Sequence, residues 1–224
     1  MKYLIDIFIQ PSVVFRNIKE KPEWFKPLAF VIGMLCIISI LNIALNRDLI
    51  MEQQIEAMRK RNMTEEQIDQ ALRYTSGPIV YVSTVFGTVL GVSIILLLFA
   101  LLVNLFIPIA GGTGSYKLVF SVVTHSALIK IPAHLLRLIL ILIKNSLQVS
   151  TSLALFTPNL PSNSLVYQLL SSFDFFIVWE MILVAMGISI TNDTKKEHAY
   201  ILVFGIWLAS VFLGIGIGTF FGAR

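Results

Sequence analysis

The sequence predicts an all-α membrane protein with five transmembrane helices, and three observations predict this class. Apolar residues make up 56% of the 224 residues and charged residues only 13%, about half the share in an ordinary soluble domain. No charge occurs between Arg73 and Lys117, or between Glu197 and Arg224. Five apolar stretches are long enough to cross a hydrocarbon core of about 30 Å. A soluble enzyme, a disordered chain and a disulfide-rich secreted domain are therefore excluded.

The N-terminal arm, residues 1–27, precedes the first span. It carries five basic residues and lacks the apolar centre and small-residue end of a cleavable signal. Its amphipathic pattern is interrupted around Pro11, which predicts a helix lying in the membrane surface. Trp24 and Phe25 suit an anchor at the membrane–water interface.

The predicted spans are nearly free of charge and together form one domain over residues 28–223. They cover residues 28–45, 78–110, 118–143, 166–190 and 199–223. Their only charged residues are Lys130, Arg137, Asp174 and Glu180. Helices are expected because lipid offers no partner to backbone polar groups. The second span is long enough to tilt or to break near Pro108.

Residues 47–76 form the one substantial polar segment and predict a helical hairpin outside the membrane. Thr64 and Gln67 have the spacing of a capping box, and Met63 and Ile68 that of a hydrophobic staple. These signals place a helix start after Asn62. The apolar stripe of the hairpin either lies on the bilayer or holds a partner.

A glycine-rich loop follows the second span, where Gly111, Gly112 and Gly114 permit tight turns. A phosphate-binding loop would end in Lys followed by Ser or Thr at the start of a helix. This loop continues instead with Tyr116 and Lys117, so a nucleotide site is not predicted.

The charges at membrane depth form the candidate site. Counted from the loop between spans three and four, Lys130 matches Glu180 in depth and Arg137 matches Asp174. Each charge costs roughly 2.5–3.5 kcal/mol to insert unless it is paired or hydrated. The cluster therefore predicts either a polar cavity for protons, ions or lipid headgroups, or structural ion pairs that specify helix packing.

Span three places several polar residues on one side of its helix. Ser126, Lys130, His134 and Arg137 follow helical spacing. Pro132 lies among them and should kink the helix, since it lacks an N–H group and clashes with the preceding turn.

Small residues repeat every four positions in two spans. They include Gly87 and Gly91 in span two and Gly214, Gly218 and Gly222 in span five. Such ridges let helix backbones approach closely. We expect contacts within the bundle, while contacts between copies, and hence a homo-oligomer, stay open.

No catalytic, cofactor or metal motif is readable. His125 and His134 lack the spacing of a metal site, and Cys36, the single cysteine, lies in an apolar run. The net charge of +4 reflects topology and anionic headgroups in a membrane protein. Nucleic-acid binding is not predicted, because basic residues are not interleaved with aromatics.

Several landmarks occur in an order that resembles the Yip-domain family of Ypt/Rab-interacting membrane proteins, in its prokaryotic branch. They are PSVVFRNI at residues 11–18 followed by Lys21-Pro22, GGTGSYK at 111–117, Ile131-Pro132, FDFFIVW at 173–179, Gly187-Ile188, a short Lys195-Lys196 turn and a glycine-rich last span. The resemblance covers nearly the whole chain and implies a five-span bundle with a cytoplasmic N-terminus, in a prokaryotic cytoplasmic membrane.

Three functions follow as hypotheses. The first is a non-enzymatic membrane protein that binds lipids or protein partners and organises the membrane or its traffic; eukaryotic family members bind prenylated Rab-type GTPases, so a GTPase-like partner is one form of it. The second is a transporter or channel whose pathway uses the cluster of Lys130, His134, Arg137, Asp174 and Glu180. The third, a lipid-modifying enzyme, ranks lowest because no nucleophile or metal motif is present.

Overall fold

The computed structural model describes residues 2–75, 77–157, 159–161 and 164–222, and these residues are mainly helical. The helices are α1 Lys2–Ile9, α2 Pro11–Glu20, α3 Phe25–Leu45, α4 Arg47–Lys60, α5 Glu65–Thr75, α6 Ile79–Phe106, α7 Tyr116–Ser126, α8 Lys130–Lys144, α9 Leu165–Ser172, α10 Phe175–Thr191 and α11 Lys196–Gly222. Two 3₁₀ turns, Ala127–Ile129 and Leu153–Phe156, complete the described secondary structure.

The predicted fold class is confirmed. Four helical segments are long and apolar enough to cross a membrane: Phe25–Leu45, Ile79–Phe106, Tyr116–Lys144 and Lys196–Gly218. The fifth apolar helix, Phe175–Thr191, has 17 residues, and its length of about 25 Å is slightly less than a typical hydrocarbon core. The chain is therefore a polytopic helical membrane protein.

Two of the five predicted spans are not continuous α-helices. Span three contains a 3₁₀ turn, Ala127–Ile129, between α7 and α8. Pro132 follows this turn; it has no N–H group to donate, and its ring crowds the carbonyl of Leu128, four residues earlier. Span four breaks between α9 and α10, where Asp174 caps α10 instead of lying inside a helix. The prediction of one helix over 166–190 missed this because both halves are apolar.

The remaining span boundaries differ by a few residues. The second span ends at Phe106, two residues before Pro108, where a proline cannot continue the hydrogen-bond pattern of a helix. Ala223, the last residue of the predicted fifth span, lies outside the described residues.

The chain divides into two compact units. Unit 1 contains residues 1–31, 94–130 and 150–224, and unit 2 contains residues 32–93 and 131–149. In unit 1, α2 packs against both α10 and α7, and α11 packs against α10. Unit 2 contains the α4–α5 hairpin together with the greater part of α3 and α8.

The N-terminal arm is two helices, and one face of it belongs to the protein core. Phe15 is fully buried, and so are Val14 and Ile18 on the same side of α2. A second apolar row, formed by Ile5, Ile9 and Val13, is exposed. One face of the arm is therefore held by the protein, and the exposed row is the face that the predicted position in the membrane surface would present to lipid.

Gly187 of α10 explains why α2 can pack so closely. A Cβ atom built at Gly187 would overlap the side chains of Val122 and Phe15. The missing side chain leaves the room that the Phe15 ring occupies. The docking of the arm thus depends on a glycine outside the repeats picked out by sequence.

The predicted glycine ridges do not pack within their own units. A Cβ atom built at Gly87, Gly91, Gly214 or Gly218 would meet nothing within 4 Å. These faces are open among the described residues, so the expectation of contacts inside the bundle finds no support at these four glycines. The surroundings of Gly222, at the end of α11, are not described.

The hairpin in unit 2 forms as its capping signal predicts. The Thr64 backbone N–H donates to Gln67 Oε1 at 2.9 Å, and the Gln67 N–H donates to Thr64 Oγ1 at 3.3 Å. Ile68, the second residue of the predicted staple, is buried. The reciprocal capping box is confirmed, and it starts α5 at Glu65.

Candidate functional site: the intramembrane charges

Lys130 and Glu180 form an ion pair inside unit 1. Lys130 Nζ lies 2.7 Å from Glu180 Oε2, and the Glu180 side chain is only 6% exposed. Lys130 is the first residue of α8 and Glu180 lies in the second turn of α10. The spacing of the two spans predicted this partner, and the structure brings the two residues together.

The Lys130 side chain is 28% exposed, so only the Glu180 end of the pair is buried. Leu128 and Ile129 precede Lys130 and are buried, and Met181 and Leu183 follow Glu180 and are buried as well. Two charges in such surroundings are tolerated when they neutralise each other, whereas one alone would carry most of its desolvation cost. The arrangement is an ion pair between a buried carboxylate and a partly exposed ammonium group.

The 3₁₀ turn Ala127–Ile129 places Lys130 against α10. This turn packs on α10 and on α1. Beside it, Phe8 of α1 makes an edge-to-face contact with Trp179, the residue before Glu180, with ring centroids 6.1 Å apart. The N-terminal arm therefore packs beside the turn that precedes Lys130.

The polar side chains of α7 mostly bond to their own helix. Ser121 Oγ donates to the Lys117 carbonyl at 2.7 Å, Thr124 Oγ1 donates to the Ser121 carbonyl at 3.1 Å, and His125 Nδ1 lies 2.7 Å from the Ser121 carbonyl oxygen. Ser126 Oγ is buried without a hydrogen-bond partner in the described part of the chain. Ser121, Thr124 and His125 thus bond to carbonyl groups of α7 itself.

Asp174 serves as the N-cap of α10. Its Oδ1 accepts hydrogen bonds from the backbone N–H groups of Phe176 at 2.8 Å and Ile177 at 3.4 Å. Thr151 donates its hydroxyl to the other carboxylate oxygen. Capping satisfies N–H groups that a helix start leaves unpaired. Because α10 starts here, the depth count that matched Asp174 to Arg137 loses its basis.

His134 and Arg137 line a cavity in unit 2 with a volume of about 360 Å³. The complete lining is Ile38, Ser39, Asn42, Ile50, Gln53, His134, Arg137, Leu138, Ile141 and Leu147. It combines residues of α3, α4 and α8 with Leu147, which follows α8. The cavity has one cationic side chain, several neutral polar groups and no carboxylate in its lining.

A polar loop cluster at one end of unit 1 was not picked out from the sequence. The Thr113 N–H donates to the Asn192 carbonyl at 2.8 Å. Side-chain atoms at Gly112 and Gly114 would collide with Thr194 and Asn192. Lys19 reaches the same loop and pairs with Asp193 at 2.5 Å. In the sequence, this cluster is marked only by a short polar turn between two apolar spans.

The predicted site residues thus take three roles: an ion pair, a helix cap, and the lining of an open cavity. Among the described residues, no group of three or more His, Cys, Asp or Glu side chains could hold a metal ion. The glycine-rich loop at residues 111–114 packs against the 192–194 loop, so its role there is structural.

Sequence comparison with known proteins matches the chain to a protein family. A family model described as the Yip1 domain matches residues 5–218. The chain is similar to "Membrane protein YknW" of Bacillus subtilis (strain 168), with 26% identity over 218 residues that cover 95% of this chain and 90% of that protein. No solved structure matches the chain.

Proposed function

The chain belongs to the Yip1 domain family, and we propose that it is a non-enzymatic membrane protein that binds lipids or protein partners and organises the membrane around it. One observation carries the proposal. Lys130 and Glu180, the two charges that the sequence places deepest in the predicted cluster, pair with each other at 2.7 Å, and the Glu180 carboxylate is buried. A transport pathway would need such charges to be accessible to water or substrate.

The second candidate, transport, makes a prediction that separates the two functions. The purified protein is reconstituted into liposomes and tested for proton flux with an internal pH-sensitive dye, and for lipid transfer with a fluorescent phosphatidylglycerol that is quenched from outside. A proton ionophore provides the positive control. We expect flux equal to that of empty liposomes, for the wild type and for a variant carrying Lys130→Ala and Glu180→Ala.

Flux above that of empty liposomes that disappears in the double variant would overturn the proposal and support transport along the charged cluster. Flux that is the same in the wild type and the double variant would also overturn it, and would place a pathway elsewhere. Only the absence of flux in both proteins agrees with the proposed function.

We also propose that the N-terminus faces the cytoplasm. The support is the orientation implied by the resemblance to the family. The basic residues add little to it, with eight on the proposed cytoplasmic side and seven on the other. The Lys19–Asp193 pair joins the end of α2 to the 192–196 loop, so both lie on the same side. Short cytoplasmic loops are enriched in Lys and Arg. The five-span topology then puts the α4–α5 hairpin on the opposite side.

The orientation is tested by cysteine labelling. In a Cys36→Ser background, Glu66→Cys in the exposed hairpin should react with a membrane-impermeant maleimide added to intact cells. Glu20→Cys in the arm should react only after the cells are opened. The reversed pattern would contradict the proposed orientation.

A further inference from the structure

The cavity around Arg137 has the properties of a ligand site that the proposed function does not yet use. Its volume of about 360 Å³ lies within the range of small-molecule pockets, which are mostly apolar with a few converging polar groups. Ile38, Leu138 and Ile141 supply buried apolar walls. Arg137, His134 and Asn42 supply polar groups.

The electrostatics of the cavity favour an anion. Arg137 is the single formally charged residue of the lining, and among the described residues it takes part in no salt bridge. The carboxylates of α4 belong to another groove of about 530 Å³, whose lining includes Asp48, Glu52 and Glu56. A guanidinium presents several N–H donors in a planar fork that matches a phosphate or a carboxylate.

Asn42 adds a donor in a fixed orientation. Its side-chain oxygen accepts a hydrogen bond of 2.9 Å from Asn46 Nδ2, and Asn46 is itself buried. The oxygen of Asn42 is thereby engaged, and its NH₂ group is left as the polar group for a ligand. A guanidinium and an amide NH₂ in one cavity both donate, as an anion requires.

The position along the helices indicates a lipid. Arg137 lies seven residues before Lys144, the end of α8, which corresponds to about 10 Å along the helix axis. This is within reach of the headgroup layer for a long side chain that extends toward the interface. Exposed apolar residues flank the cavity on both helices: Ile37, Leu41, Ile139 and Leu142.

We propose that this cavity binds the phosphate of an anionic phospholipid, with Arg137 and the Asn42 amide as donors and the acyl chains along the exposed faces of α3 and α8. The inference rests on the proposed lipid binding and names the lipid class and its place. It does not depend on the Lys130–Glu180 pair, so a failure here leaves the flux result unaffected.

The test is native mass spectrometry of the purified full-length protein after exchange into detergent without lipid. Phosphatidylglycerol, phosphatidylcholine and glycerol 3-phosphate are titrated separately. We expect one phosphatidylglycerol to bind more tightly than phosphatidylcholine, and glycerol 3-phosphate to leave the protein unoccupied at the same concentrations. Arg137→Met should weaken phosphatidylglycerol binding about tenfold or more, since it removes the charged partner.

Three further variants complete the design. Arg137→Lys keeps the charge but loses the planar fork, and should bind with intermediate affinity. Asn42→Leu should weaken binding without changing the charge. Lys144→Met removes one positive charge from the exposed end of the same helix, and should have a much smaller effect than Arg137→Met.

Two kinds of result would overturn the proposal. Equal losses for Lys144→Met and Arg137→Met would mean that the lipid responds to general charge and not to this cavity. Glycerol 3-phosphate binding as tightly as phosphatidylglycerol would assign the site to a soluble phosphate compound. A melting curve of each variant without lipid verifies that the variant is folded before its binding is compared.

Discussion

Lys130 and Arg137 lie seven residues apart on one helix, α8, yet their surroundings differ in kind. Lys130 is held 2.7 Å from the buried carboxylate of Glu180, whereas Arg137 lines a cavity without a carboxylate. The two cations therefore have different partners among the described residues: Lys130 has a carboxylate, and Arg137 takes part in no salt bridge there. What separates them is the partner that each unit supplies, and not the type or spacing of the residues.

The largest effect is expected from breaking the ion pair of unit 1. Lys130→Met removes the cation beside the buried Glu180 carboxylate and should lower the free energy of unfolding by about 3–5 kcal/mol. Glu180→Leu should cost less, because the Lys130 side chain is 28% exposed. The double variant Lys130→Met/Glu180→Leu should recover most of this loss, because no charge remains. Reversible unfolding in mixed micelles gives the free energy of unfolding of the wild type, the two single variants and the double variant.

Arg137→Met in unit 2 is the matched control and should change the unfolding free energy by much less than either single variant. Additive losses in the double variant of unit 1 would contradict the account, since independent groups add whereas a pair does not.

The next effect concerns Gly187, where α2 meets α10. Gly187→Ala adds a methyl group that overlaps Val122 and Phe15, and overpacking of this kind costs about 1–3 kcal/mol. The loss should appear as a lower melting temperature and as faster proteolysis of the arm. Gly214→Ala is the control, because its Cβ would meet open space and alanine favours a helix. Equal destabilisation by both variants would show that Gly214 also packs, for instance against a second copy.

The fold was largely predictable because lipid constrains it so strongly. Long uncharged stretches such as residues 78–110 had no alternative to a helix, and the capping box at Thr64 marked a boundary through local bonds alone. The break before α10 was not predictable, since Asp174 looks the same in sequence whether it pairs across the bundle or caps a helix. A hydropathy pattern gives no information on which hydrogen bonds a carboxylate makes.

The candidate site was predictable only in part. The depth count could pair Lys130 with Glu180 because α8 is helical from Lys130 to the loop, although the break before α10 lies within the stretch counted in span four. The Arg137 cavity depends on Asn42 and Gln53, which are distant in sequence and belong to no motif. The contact of Gly187 with the arm was not predictable for a similar reason, because the sequence marks Gly187 only as part of a family landmark and does not show which side chain it faces.

A smaller effect is expected at the capping box of the hairpin. Thr64→Ala removes the acceptor for the Gln67 N–H and should cost about 1 kcal/mol. Hydrogen exchange of the first turn of α5 should become faster, while exchange in α10 should not change. Gln70→Ala, at an exposed position of the same helix, is the control. Unchanged exchange in the Thr64 variant would contradict a stabilising role for the cap.

The smallest effect is expected at Glu23, which lies just before α3. A hydrogen bond from Lys26 lowers the pKa of this exposed carboxyl below its ordinary value of 4.5. A depressed pKa adds stability above the ordinary value, and this stability is lost as the pH falls through the folded value. Lys26→Met should raise the pKa of Glu23 in a carbon-13 NMR titration. Lys21→Met should raise it less, and equal shifts would contradict a specific pair.

The comparison between Lys130 and Arg137 is tested most directly by the stabilisation that phosphatidylglycerol gives to each variant. A ligand that binds only the folded state raises stability by about 2.7 kcal/mol at one hundred times its dissociation constant. We predict that the lipid raises the melting temperature of the wild type and of Lys130→Met/Glu180→Leu equally, and that this increase is largely lost in Arg137→Met. An increase that is retained in Arg137→Met but lost in the double variant would contradict the account.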